Sequence, residues 1–148
     1  MAITASKAHI SLLNDLIQLD HDAVAAYRAA IERLDNAAFR SRLEEFLGDH
    51  ERHVRELTAL VREMGGDPAK KGDMKQILTK GKVVIGNLSG DKGILQAMRS
   101  NEDETNQRYE KALTTENLPP RIFELLDRNL ADERRHRAWI VQQLEMMR

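Results

Sequence analysis

Apolar residues recur every three to four positions along four long stretches of the chain, which is the spacing of a helix that buries one face. Good helix formers fill the interiors of these stretches, and strand signals are missing. Residues that cap or break helices separate the stretches: Asp35 and Asn36, then Gly65 and Gly66, then Pro119 and Pro120. The pattern therefore predicts four helices, over residues 8–34, 37–64, 91–114 and 119–147.

The three breaks between the predicted helices differ in length. Two are short turns, whereas residues 65–90 form a long connection in which we expect a short helix over about residues 73–87. Two antiparallel hairpins, 8–64 and 91–147, joined by one long connection make a four-helix bundle. We therefore predict an all-α fold in a single domain that spans residues 1–148.

Each predicted helix carries ionisable residues on the face that packs into the bundle. Read in steps of three and four, the first and third helices each place one acid there, the second places two histidines, and the fourth an acid and a histidine. The six residues are Asp20, His50, His53, Glu102, Glu133 and His136. One such residue more often sets the register of a bundle than binds a ligand, but six together are costly to bury without compensation.

The six residues are predicted to lie at one height in the bundle. In an antiparallel hairpin, residues at the same height have numbers that average to the middle of the turn. Asp20 and the pair at 50 and 53 average near residue 36, and Glu102 and the pair at 133 and 136 average near residue 118. Both averages fall inside predicted turns, so the two hairpins can bring the six side chains into one central layer.

The two halves of the chain also resemble each other. The segment DHDAVAAY shifted forward by 82 residues falls on EDETNQRY, and GDHERH shifted by 83 falls on ADERRH. An acid, a tyrosine, a second acid and a histidine therefore recur in register, which indicates an internal duplication. The two tyrosines of the repeat, Tyr27 and Tyr109, are interpreted as core residues in preference to redox-active ones.

Composition narrows the kinds of partner. The 23 basic and 24 acidic residues are interleaved and give a net charge of -1, which favours neither nucleic acid nor an anionic membrane as a partner.

No apolar run approaches the length of about 18 residues that a membrane span needs, and MAITASKAHI lacks the core of a signal peptide. We therefore expect a cytoplasmic protein. The absence of cysteine means that any metal must be held by nitrogen and oxygen.

The chemistry of the six residues points to iron or manganese. Carboxylates bridge such cations and offset their charge, and neutral imidazoles fill terminal positions. Glu133 and His136, and likewise His50 and His53, are three residues apart on a helix and can hold one site together. The pattern leaves open whether one or two ions bind. Asp49 and Asp132 each precede one of the two motifs and are predicted to orient a histidine of the neighbouring helix; we call these two residues the supporting acids. Glu51, one residue off the buried face, is a fallback ligand.

The ligand pattern resembles that of the ferritin-like di-iron carboxylate proteins, in which an acid on one helix and Glu-x-x-His on its partner occur twice. ERRH, from Glu133 to His136, matches this motif, whereas HERH departs from it because His50 stands where the family places a carboxylate that usually bridges the metals. More narrowly, the chain resembles a bacterial family of ferritin-like domains of unknown function, with LNDLI in the first helix, GGDP at the long break and LPP before the fourth. The narrower resemblance covers nearly the whole chain and implies a ferritin-like fold and no reaction. The wider resemblance to the di-iron carboxylate proteins implies ferroxidase or peroxide-type redox chemistry if the protein is an enzyme.

Two functions of different class remain open. One is a metal-binding protein connected with redox or oxidative-stress chemistry. The other is a metal-free bundle that acts as a structural or stress-associated interaction module, in which the polar layer serves specificity. The sequence does not determine which metal binds, which reaction occurs or which path the long connection takes. It also does not determine the assembly, for which a homodimer is one option.

Overall fold

The computed structural model describes residues 6–70 and 90–147, and this part of the chain contains four α-helices and no strand. The helices are α1 (Lys7–Arg33), α2 (Ala37–Glu63), α3 (Asp91–Leu113) and α4 (Pro120–Met146). Every helix end lies within one residue of its predicted position, and the predicted all-α four-helix bundle is confirmed. The predicted short helix over residues 73–87 lies outside the described residues.

Local interactions explain where α1 begins and where α2 begins and ends. The Ser6 side chain accepts a hydrogen bond from the His9 backbone at 3.2 Å, and the His9 ring accepts one from the Ser6 backbone at 3.3 Å, which together form a capping box at the start of α1. Asn36 caps α2 by accepting from the Phe39 backbone at 3.1 Å. Gly65 follows the end of α2 with a φ of 78°, a conformation that glycine adopts without strain.

The four helices form a square in which α1 and α4 lie on one diagonal and α2 and α3 on the other. α1 packs against α2 and α3, and α4 packs against the same two helices. The contact between α2 and α4 is the least extensive of the four. A gap between these two helices therefore remains to be closed by longer polar side chains.

Hydrogen bonds at the helix ends show how α1, α2 and α3 run relative to one another. The Asn14 side chain near the start of α1 binds the backbone of Asp67 and Ala69 beyond the end of α2, at 3.0 and 2.7 Å. At the opposite end of α1, the Asp91 carboxylate at the start of α3 accepts from the Asp35 backbone at 2.8 Å. The described residues on the two sides of the 71–89 gap therefore lie at opposite ends of the bundle.

The buried interior consists of two apolar clusters with a polar layer between them. One cluster contains Leu13, Ile17 and Leu57 among others, and the second is built around Phe46 and Met98. Because apolar side chains close the layer above and below, its polar groups are removed from bulk water. Among the described helices, none combines the length and the apolar content that crossing a membrane requires.

Candidate metal centre

The structure brings the six predicted residues together in the polar layer at the middle of the bundle. Each side chain comes from the expected helix, and none of the six residues is more than 1% exposed. They fall into two overlapping groups of four, in which the ligand atoms lie within 4.8 Å of one another. The groups are Asp20, His50, His53 and Glu133, and His50, Glu102, Glu133 and His136. Each group offers two carboxylates and two imidazoles, and both include His50 and Glu133.

The first group is centred on Asp20 of α1. Asp20 Oδ1 lies 2.8 Å from His50 Nδ1 and 3.1 Å from His53 Nδ1. Glu133 Oε1, from the diagonal helix α4, lies 3.4 and 3.3 Å from the same two nitrogens. Two oxygens and two nitrogens from three helices therefore converge on one small volume.

The second group is centred on Glu102 of α3. Glu102 Oε1 lies 3.3 Å from His50 Nε2 and 3.4 Å from His136 Nδ1. Glu133 Oε2 lies 3.8 Å from His136 Nδ1. The two groups are thus related in the way that the duplicated sequence predicts, with Asp20 and Glu102 in equivalent positions.

Two histidines turn their outer nitrogens towards partly buried carboxylates outside the layer. His53 Nε2 lies 2.9 Å from Asp132 Oδ2, and His136 Nε2 lies 2.8 Å from Asp49 Oδ2, as predicted for the acids that precede each motif. Arg52 and Arg135 each pair with both aspartates, one on the same helix and one across the gap between α2 and α4. Such contacts fix the ring orientation of a histidine and leave its Nδ1 directed into the layer.

Glu51 is not part of the layer. Its carboxylate pairs with Arg28 on the surface at 3.3 Å, and its side chain is 42% exposed. One residue along a helix rotates a side chain by about 100°. The step from His50 to Glu51 is therefore enough to move the fallback ligand out of the bundle.

The contacts of four polar side chains were not predicted from the sequence, and three of these side chains bind the acids of the layer directly. Tyr27 donates a hydrogen bond to Glu102 Oε1 and Tyr109 donates one to Asp20 Oδ2, each at 2.5 Å and each from the other hairpin. Thr105 Oγ1 lies 2.8 Å from Glu133 Oε2 and 3.0 Å from Glu102 Oε2. The fourth side chain, Asn129, donates to the Tyr109 hydroxyl at 3.2 Å. All four occupy core positions of the helical pattern, and that spacing is the signal that could have identified them.

Interactions within the layer shift pKa values in opposite directions. Burial lowers the pKa of His50, but the surrounding carboxylates, led by Glu133, outweigh burial and raise it to about 10. His53 behaves alike, with Asp20 the leading carboxylate, and its pKa rises to about 12. Burial raises the pKa of Asp20 and Glu102, yet their histidine neighbours hold both below the usual range. For Glu133, burial prevails over the attraction of His50 and raises the pKa to about 7.

Two atoms of the layer lack a hydrogen-bond partner among the described residues, namely Glu133 Oε1 and His136 Nδ1. Both belong to fully buried residues, where an unmet polar atom costs about 1–3 kcal/mol. A divalent cation in each group would satisfy the atom that belongs to it, because carboxylate oxygen and imidazole nitrogen are ligands of iron and manganese. The residues present therefore fit a metal ion.

Comparison with known proteins gives a family and no activity. The family model described as "Domain of unknown function (DUF2383)" matches residues 8–115. This segment contains Asp20, His50, His53 and Glu102 and ends before α4. A search of curated proteins found no match. Because the family model covers more than two thirds of the sequence, the chain belongs to the DUF2383 family.

Proposed function

We propose that this protein is a ferritin-like metalloprotein that binds iron or manganese in its central layer through Asp20, His50, His53, Glu102, Glu133 and His136. The observation that carries the proposal is the pair of overlapping four-ligand groups, buried and drawn from all four helices. The whole chain is taken as one domain that works in the cytoplasm. Bound iron or manganese would supply one-electron chemistry towards oxygen or peroxide.

The surrounding side chains suit a redox metal. Asp49 and Asp132 hold the outer nitrogens of two histidines, so the inner nitrogens stay aimed at the cation. Burial and neighbouring carboxylates raise the pKa of Tyr27 and Tyr109 well above the usual value, so both keep their protons and hold one acid each by a hydrogen bond. The apolar clusters exclude bulk water from the layer.

A metal-free bundle is the second candidate, and one observation favours it. Asp20 Oδ1 lies 2.8 and 3.1 Å from the Nδ1 atoms of His50 and His53, close enough for protonated imidazoles to balance the ionised acids without any cation, and the raised pKa values of both histidines agree with this. A buried layer neutralised in this way would fix the register of the helices. The protein would then act as a structural or stress-associated module.

Metal analysis separates the two candidates. The protein is purified without a chelator or a histidine tag, its metal content is determined, and it is titrated with iron and with manganese without oxygen. We expect one or two ions per chain in the parent protein and none in the double variant Glu133→Gln, His136→Gln, with helicity by circular dichroism retained.

Glu51→Gln is the matched control, because it removes a carboxylate from α2 next to the layer without altering either group. This variant should bind as many ions as the parent. Absence of metal from the parent protein under every loading condition, or loss of metal from the control, would overturn the proposal.

A further inference from the structure

His50 and Glu133 occupy equivalent positions in the two halves of the chain. A shift of 83 residues carries one onto the other, and both stand at the first position of a four-residue motif. They are also the two residues that both ligand groups share. If one of these two residues contacts both groups, the equivalent position of the other allows it to do the same.

The two oxygens of Glu133 face different groups. Oε1 lies 3.4 and 3.3 Å from the Nδ1 atoms of His50 and His53, in the first group. Oε2 lies on the side of the second group, 3.8 Å from His136 Nδ1. A carboxylate placed in this way can bind one cation with each oxygen.

The two ring nitrogens of His50 face different groups as well. Nδ1 lies 2.8 Å from Asp20 Oδ1, and Nε2 lies 3.3 Å from Glu102 Oε1. The other two histidines differ, because each uses its Nε2 on a partly buried aspartate outside the layer and directs only Nδ1 inwards. His50 is thus the histidine of the layer that offers a donor atom to each group.

Packing holds the His50 ring in this orientation. The Tyr27 ring lies 5.2 Å from it between centroids, and the His136 ring lies 5.1 Å away on the side of the second group. The residue is fully buried. Rotation of the ring would break the contact of Nδ1 with Asp20 and that of Nε2 with Glu102, so both nitrogens stay directed into the layer.

We infer that His50 bridges two cations, binding one through Nδ1 beside Asp20 and His53 and the other through Nε2 beside Glu102 and His136. This inference rests on the proposed function and deepens it, because it assigns the centre two ions. Binding through both nitrogens requires the protonated ring of the metal-free layer to release both of its N–H protons to solvent as the two cations bind. The resulting imidazolate and the three carboxylates carry four negative charges, which equal the charge of two divalent cations.

The test is NMR spectroscopy of the parent protein with isotope-labelled histidine nitrogens, loaded with a spin-active isotope of divalent cadmium. The His50 signals are assigned by their loss in His50→Gln. We expect two cadmium ions per chain and a scalar coupling from cadmium to each of the two His50 nitrogens. His53 and His136 should each show this coupling at Nδ1 alone.

The possible results separate this inference from the function on which it rests. Coupling to one His50 nitrogen or to neither, with cadmium bound, would overturn the bridge and leave metal binding intact. Failure of cadmium, iron and manganese all to bind would overturn both. The couplings are measured in the parent protein, and His50→Gln is used only to assign the His50 signals.

Affinity measurements on variants provide an independent check. His50→Gln should weaken binding of the second cation by at least about tenfold, since changes even outside the ligand set cost about 10- to 100-fold in affinity. His50→Glu should keep both cations, because a carboxylate also has two donor atoms. The matched control is His9→Gln, which removes a histidine at the start of α1 about 16 Å along the helix from Asp20. Equal affinity for two cations in His50→Gln and the control would contradict the bridge.

Discussion

Removing the hydroxyl group of Tyr109 should destabilise the protein more than removing that of Tyr27. Both residues are fully buried, and both hydroxyls donate to a carboxylate at 2.5 Å. In Tyr27→Phe, Glu102 Oε1 still lies 3.3 Å from His50 Nε2 and 3.4 Å from His136 Nδ1. A hydrogen bond to a charged group contributes about 1.5–3 kcal/mol to stability. Because Glu102 keeps its two histidine contacts, we expect Tyr27→Phe to lower the free energy of unfolding by an amount at the lower end of this range.

Tyr109→Phe loses the equivalent bond and a second one. The Tyr109 hydroxyl also accepts from Asn129 Nδ2 at 3.2 Å, and Asn129 is only 1% exposed. Leaving that buried amide group without an acceptor adds about 1–3 kcal/mol. We therefore expect Tyr109→Phe to lower the free energy of unfolding by at least about 1 kcal/mol more than Tyr27→Phe does.

The assay is urea unfolding of the metal-free protein, followed by circular dichroism in the presence of a chelator. A double-mutant cycle with Asn129→Leu isolates the amide contact. Asn129→Leu should cost less in the Tyr109→Phe background than in the parent, because replacing both polar partners by apolar groups leaves none unsatisfied. Equal destabilisation by the two tyrosine variants, with no coupling in the cycle, would refute the reasoning.

Three further predictions concern the supporting acids, pH and a glycine. Asp49→Asn and Asp132→Asn should each weaken metal binding about 10- to 100-fold in calorimetric titrations, while the helical content stays unchanged. The folded-state pKa of His50, about 10, exceeds the unfolded value, so its contribution to stability is complete below pH of about 6.5 and disappears as pH rises through about 10. The urea midpoint of the metal-free protein should therefore fall across this interval, and a constant midpoint would contradict the shift. Gly48→Ala should stabilise α2 by about 0.5–1 kcal/mol in thermal unfolding, because an added Cβ meets nothing within 4 Å, whereas Gly66→Ala places that atom 2.7 Å from Ile10 and should not stabilise.

The helices and the height of the polar layer could be predicted because both depend on spacing alone. A period of three to four residues determines which side chains face the core, and the glycine, proline, aspartate and asparagine residues that interrupt the pattern mark where the helices end. For the layer, the antiparallel pairing of Asp20 with His50 and His53 follows from the position of one short turn. The structure places these three side chains within hydrogen-bonding distance.

The contacts inside the layer could not be predicted in the same way. Spacing assigns Tyr27 to the core, but its partner Glu102 depends on how far α1 and α3 are rotated towards each other. It also leaves open which nitrogen of a histidine faces inwards. His50 and His53 lie on one face of α2, yet one directs both nitrogens into the layer and the other only one. The orientation of each side chain depends on its rotamer and on the neighbouring helices, and the periodic pattern of the sequence gives no information about either.

The polar layer also provides contacts that hold the two hairpins together. α2 and α4 make the least extensive helix contact, and the pairs His53–Asp132 and His136–Asp49 cross that gap. A substitution in the layer therefore removes a candidate ligand and a contact between hairpins at the same time. Loss of metal in a variant identifies a ligand only if the free energy of unfolding of its metal-free form is close to that of the parent. The conservative replacements by glutamine and asparagine meet this requirement best, because they keep the size of the side chain and part of its hydrogen bonding.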